Sequence, residues 1–120
     1  MRKKPEVYLA DMLQYGRRIV RYTASGRADF FVNPMVQDAV MRNFEVVGEA
    51  ASRVPQDLRT ATPQIPWRSV VGFRNVLIHG YSGVSLEEVW EIVQNTLPEL
   101  LQALESLLRE RGIDPDHVPE

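Results

Sequence analysis

Apolar residues recur in this chain at steps of three and four, and no strand-length stretch alternates apolar with polar. That spacing admits helices and disfavours sheets. Leu9, Met12, Leu13, Gly16, Ile19, Val20 and Thr23 share one face of a helix over about residues 5–24, with Pro5 in its first turn. Residues 25–33, which carry Phe30 and Phe31, read as a loop, and Asn33-Pro34 as an N-cap and first helical position. A second helix over about 34–53 sets Val36, Val40, Phe44 (or Asn43), Val47, Ala51 and Val54 on one stripe, flanked by Ala39, Val46 and Ala50. Pro55 stops or restarts it, and residues 60–66, with two prolines, form a loop.

A third helix is expected from Trp67 to about His79, closed by Gly80 as a positive-φ residue. Ser85-Leu86-Glu87-Glu88 has the form of a capping box. From there Val89, Ile92, Val93, Leu97, Leu100, Leu101, Leu104, Leu107 and Leu108 continue an apolar stripe. Pro98 is expected to kink this helix, or to divide it with Thr96 as a cap and Glu99 as its partner. Gly112 ends it. The expected fold is therefore all-α, an antiparallel bundle of four to five helices. Residues 1–112 form a single domain and 113–120 a flexible C-terminal tail. Leu101, Leu104 and Leu108 exceed what one bundle is expected to cover, so an oligomer interface is their expected use.

Length and composition narrow the function. At 120 residues the chain suits one domain that buries roughly two-thirds of its unfolded surface. With no cysteine, disulfides, thiolate nucleophiles and Cys-based metal sites are excluded, and a cytoplasmic location fits. No run approaches the ~18 apolar residues of a membrane span, and the start lacks a signal-peptide apolar region. The formal net charge of −2 argues against a basic nucleic-acid coat. It conceals an asymmetry: residues 1–74 carry 12 Lys+Arg against 7 Asp+Glu, and residues 75–120 carry 2 against 9. The first part can face an anionic partner, or the two parts can pair with each other.

Of two histidines, His117 lies in the expected tail. His79 lies at a helix end, five residues after Arg74. Histidine gains and loses a proton near neutrality, as acid–base catalysis requires, and arginine is a fixed cation with a planar donor fork. On one helix the two lie about 140° apart, so they meet on one ligand only if the last turn unwinds or the site is shared between subunits. Asn75, four residues before His79, shares its face. Glu45 and Glu49, and the group Glu87, Glu88 and Glu91, lack histidine partners and read as ion-pair or solvated groups rather than metal ligands. No phosphate-binding glycine loop is present.

The segment from Trp67 to Tyr81 resembles the signature of the HepT-like toxins, a branch of the HEPN superfamily. Their motif is Arg, a polar residue, three more residues, His, any residue and Tyr, and every position is matched from Arg74 to Tyr81. Residues 38–50, Ile65-Pro66-Trp67-Arg68 and Val89-Trp90-Glu91-Ile92-Val93 fit the same family, so the likeness covers about residues 6–110. The resemblance implies a homodimer, or a higher oligomer, whose Arg74 and His79 pairs meet in a cleft between subunits. It implies a metal-independent ribonuclease without a cofactor, the toxin of a type VII-like toxin–antitoxin pair acting on RNA, with transfer RNA as one candidate. Asn75 would support His79. The partner would be a minimal nucleotidyltransferase antitoxin that silences the toxin by attaching AMP to Tyr81. Arg17, Arg18, Arg21 and Arg42 are candidates to extend the RNA path. The alternative reading is a non-catalytic helical module that binds nucleotides or docks a partner.

Overall fold

The computed structural model describes residues 3–80 and 83–117. They form seven α-helices, with no strand among the described residues: α1 (Pro5–Tyr22), α2 (Arg27–Val32), α3 (Pro34–Ser52), α4 (Gln56–Ala61), α5 (Trp67–Ile78), α6 (Leu86–Glu91) and α7 (Leu97–Glu110). A π-helical turn, Ile92–Thr96, joins α6 to α7. The all-α expectation holds, and no helix is long and apolar enough to cross a membrane.

The apolar stripes meet as their spacing requires. Leu9, Met12, Leu13 and Ile19 of α1 are buried against α3 and α7, whose Val40, Val47, Leu104 and Leu108 are buried with them. Gly16 marks the closest α1–α7 approach, since a Cβ there would lie 2.6 Å from Leu101 Cδ2. α5 packs on α3, with the Phe44 and Phe73 rings edge to face at 5.3 Å. Several caps are those expected from sequence. Asn33 Oδ1 accepts from the Val36 N–H at 3.3 Å, and Ser85 Oγ from the Glu88 N–H at 3.3 Å. After α7, the Ile113 N–H reaches Leu108 O at 2.9 Å and the Gly112 N–H reaches Arg109 O at 3.0 Å, with Gly112 at φ 79°. This is a Schellman closure.

Four expectations are corrected. Residues 27–32 are a helix, not a loop, because burial of Phe30 beside Trp90 (centroids 5.4 Å) holds a segment too short to be helical alone. Residues after Pro55 restart as α4, so Thr60 and Ala61 are helical. Pro98 does not divide the last helix at a Thr96 cap: Thr96 has helical dihedrals and its side chain caps nothing. Instead the Leu97 N–H bonds back five residues to Ile92 O. The widened turn accommodates a proline ring that would press on the preceding turn in a regular helix. Finally, Leu101, Leu104 and Leu108 are all buried within the one chain. Among the described residues the large apolar side chains left exposed are Val20, Tyr22, Val32, Met35, Val76 and Ile78.

Part of the charge asymmetry is met inside the fold, at Arg17 and Arg27. Arg17 pairs with Glu105 and Asp116 (both 3.1 Å), Arg27 with Glu87 (3.0 Å) and Arg111 with Glu6 (2.7 Å). Arg17 also donates to Pro115 O at 3.0 Å, and Pro115 is buried. Residues 113–117 are thus attached to the bundle rather than frayed. His117 rests on Asp114 at 2.9 Å.

Candidate functional site

The site grows from α5, which follows a proline-bounded loop. Thr62 Oγ1 accepts from the indole N–H of buried Trp67 at 3.0 Å, fixing where α5 starts. The helix runs to Ile78, and His79 is its C-cap, with the following Gly80 N–H on Leu77 O at 3.1 Å. Gly80 follows at φ 109°, as expected for a helix stop.

Arg74 is held where α5 crosses α3. A Cβ at Gly48 would lie 2.1 Å from Arg74 Cβ, 2.8 Å from its Cγ and 3.2 Å from Val70 O, so only glycine lets the arginine stem lie on α3. The guanidinium then meets Glu49, to which Nη2 donates. Its Nη1 donates to Asn75 Oδ1 at 2.8 Å. Glu49 also pairs with Arg53 at 3.0 Å. The Arg74 hydrogen bond is the main cause holding the Glu49 carboxyl below its ordinary pKa, with a smaller contribution from Arg53 and burial opposing both.

His79 has the opposite setting. It is exposed and has no hydrogen-bond partner among the described residues. Val76 and Ile78, about half exposed, lie beside it along the helix. A fixed, partly covered cation and an exposed imidazole therefore occupy one helix end, Arg74 turned toward α3 and His79 toward solvent. The last turn does not unwind: α5 is helical through Ile78 and His79 is its C-cap.

Other expected site residues fall differently. Asn75 accepts from Arg74, and no hydrogen bond joins it to His79. Arg17 is taken up by the ion pairs described above. Arg42 pairs with Glu45 at 3.3 Å, and Arg18 stacks on the Tyr15 ring at 4.3 Å. Arg21 is exposed without a partner among the described residues. Tyr81 lies outside the described residues. No group of three or more His, Asp or Glu side chains gathers as a metal ligand set among the described residues. Gly48 and Glu49 escaped the sequence reading as site residues. The available signal was a glycine inside an apolar helix stripe, where it costs ~1 kcal/mol against alanine unless close packing requires it.

A family described as ribonuclease HepT-like matches residues 12–107. The chain is 33% identical to "Putative RNase MJ0127" of Methanocaldococcus jannaschii, covering 98% of each. It is 33% identical to "Probable ribonuclease HepT" of Thermococcus cleftensis, over 89% of this chain and 98% of that one. It is also 35% identical to "Gamma-glutamylcyclotransferase and putative RNase MJ0434" of Methanocaldococcus jannaschii, over 92% of this chain. There it spans half of the relative's length. No solved structure matches.

Proposed function

The chain belongs to the HepT-like ribonuclease family, and from that premise we propose that it is a metal-independent endoribonuclease whose working groups are Arg74 and His79 in a cleft between two copies. The observation that carries this reading is the division of labour at one helix end: an anchored guanidinium and an exposed imidazole without a partner among the described residues. The exposed Val76 and Ile78 support the two-copy arrangement, because a second α5 laid on them covers apolar surface and brings a second His79 to the cleft.

The chemistry follows. His79 of one copy takes the proton of a ribose 2′-hydroxyl, whose oxygen attacks the adjacent phosphorus. The bond from phosphorus to the 5′-oxygen breaks, and that oxygen takes a proton from the other copy's imidazolium. The products are a 2′,3′-cyclic phosphate and a 5′-hydroxyl. Arg74 has five N–H donors and spends two on Glu49 and Asn75. Three remain for the charge that builds on the phosphorane oxygens. The reading extends to the biological role: a type VII-like toxin, with transfer RNA as the first substrate class to test. A nucleotidyltransferase antitoxin silences it by attaching AMP to Tyr81. The added bulk and negative charge exclude an RNA phosphate from the cleft. Growth arrest by the wild-type chain but not by His79→Ala tests the toxin assignment, and arrest by both ends it.

Glu49 acts here as a positioning residue. Its folded pKa is depressed, so its ion pair is fully formed above the ordinary carboxylate value of 4.5 and is lost as pH falls through the lower folded value. Glu49→Gln is expected to cut turnover at neutral pH about tenfold through a looser Arg74, with the melting temperature moving by less than about 5 °C for so exposed a pair. Turnover equal to wild type would remove Glu49 from the site.

The modification has its own readout. Incubation with the partner enzyme and ATP is expected to add one AMP to the wild-type chain, seen by mass spectrometry, and none to Tyr81→Phe. Full silencing of Tyr81→Phe by the partner defeats the covalent scheme.

A further inference from the structure

Beside the α5 site lies an open groove of about 560 Å³ between α4 and α5. Gln56, Arg59 and Thr60 line it from α4, and Arg68, Gly72 and Asn75 from α5. At 100° per residue, Arg68, Gly72, Asn75 and His79 fall within about 40° of one line down α5, spanning about 16 Å. The groove thus leads along the helix to the residues proposed to cut RNA.

Its charge is unbalanced. No acidic residue lines it. Arg17, Arg27, Arg42, Arg53, Arg74 and Arg111 are each paired with a carboxylate. Arg59 instead donates to two neutral carbonyls, Val54 O (2.9 Å) and Ser52 O (3.1 Å), and so keeps its positive charge uncompensated. Arg68 is exposed and has no partner among the described residues. It stands in the first turn of α5, where no side chain caps the free N–H groups and the helix dipole is positive. At Gly72 a Cβ would meet nothing within 4 Å, so the wall there is bare backbone beside open space.

We propose that this α4–α5 groove binds single-stranded RNA next to the cleavage point, with Arg68 holding a neighbouring phosphate and Asn75 marking where the strand passes to Arg74 and His79. The direction of the strand rests on the cleavage site proposed above, whereas binding in the groove does not. The site differs from the α1 arginines suggested by sequence alone.

The test uses the full chain carrying His79→Ala and a short fluorescent single-stranded oligoribonucleotide, followed by anisotropy across a salt series. Adding Arg68→Ala is expected to weaken binding about tenfold and to reduce the slope of log K against log salt by about 0.7, one phosphate contact. Arg68→Lys is expected to recover most of the slope. In the active chain, Arg68→Ala is expected to raise KM and leave kcat near its starting value. Affinity and slope unchanged by Arg68→Ala overturn the proposal. So does a loss produced by Arg21→Ala in its place, or a loss of nucleotidyltransferase binding with RNA binding intact. A chain that binds RNA through Arg68 but never cleaves it sinks the reaction and leaves the groove standing.

Discussion

Replacing His79 by alanine is expected to lower RNA cleavage by about 10²–10⁴-fold, the contribution of a positioned general acid–base group, while the fold survives. The survival follows from its setting. The imidazole is exposed and bonds to nothing among the described residues, and the helix closes through the Gly80 N–H on Leu77 O, which the substitution leaves in place. Stability should therefore move by no more than about 0.5 kcal/mol. Arg74→Ala is expected to be comparably inactive but structurally less clean, since it also strips Glu49 of its guanidinium partner and empties the contact over Gly48. Mixing wild-type and His79→Ala chains tests the shared cleft. If the cleft needs an imidazole from each copy, a mixed dimer is as inactive as His79→Ala alone. If each copy works by itself, the mixed dimer keeps half of the wild-type activity. Wild-type cleavage by a clean His79→Ala preparation would refute the assigned reaction.

Gly48→Ala is expected to damage stability and activity together. The new Cβ would lie 2.1 Å from Arg74 Cβ and 3.2 Å from Val70 O. The first belongs to a stem fixed by the helix and the second to backbone, so α5 must move off α3 as a unit. Overpacking of this kind costs about 1–3 kcal/mol, offset in part by the ~1 kcal/mol that alanine gains over glycine in a helix. The melting temperature should fall by about 5 °C. Cleavage should fall about 10²-fold, the effect of moving a catalytic group by roughly 1 Å. Gly72→Ala, on α5 and facing open space, should leave the melting temperature the same or higher. Parental melting and cleavage in Gly48→Ala would show that this crossing does not set Arg74.

Much of the fold was legible before any coordinates. Leu9 to Ile19, Val40 to Ala51 and Leu97 to Leu108 are buried as their spacing requires, because a helix with one apolar face has to cover it. Asn33, Ser85, Gly80 and Gly112 stand at helix ends as their local chemistry dictates. The misread segments depend on distant partners. α2 is helical because Trp90 covers Phe30, and the leucine surplus vanishes because α1 and α7 meet closely at Gly16. Arg17, a candidate for the RNA path in sequence, is drawn to Glu105 and Asp116 in the structure.

The candidate site divides in the same way. By itself the sequence determined that the chain is helical, that α5 stops at Gly80, and which arginine, histidine and tyrosine match the family motif, because these depend on neighbours a few residues apart. Only the tertiary structure decided that Arg74 is clamped by Glu49 while Asn75 is drawn to it and away from His79. It alone left Arg68 and Arg59 without carboxylate partners among the described residues, beside an open groove. Those outcomes depend on which charges the helix crossings bring within bonding distance, and a crossing set by one absent Cβ at Gly48 leaves no periodic trace in the chain.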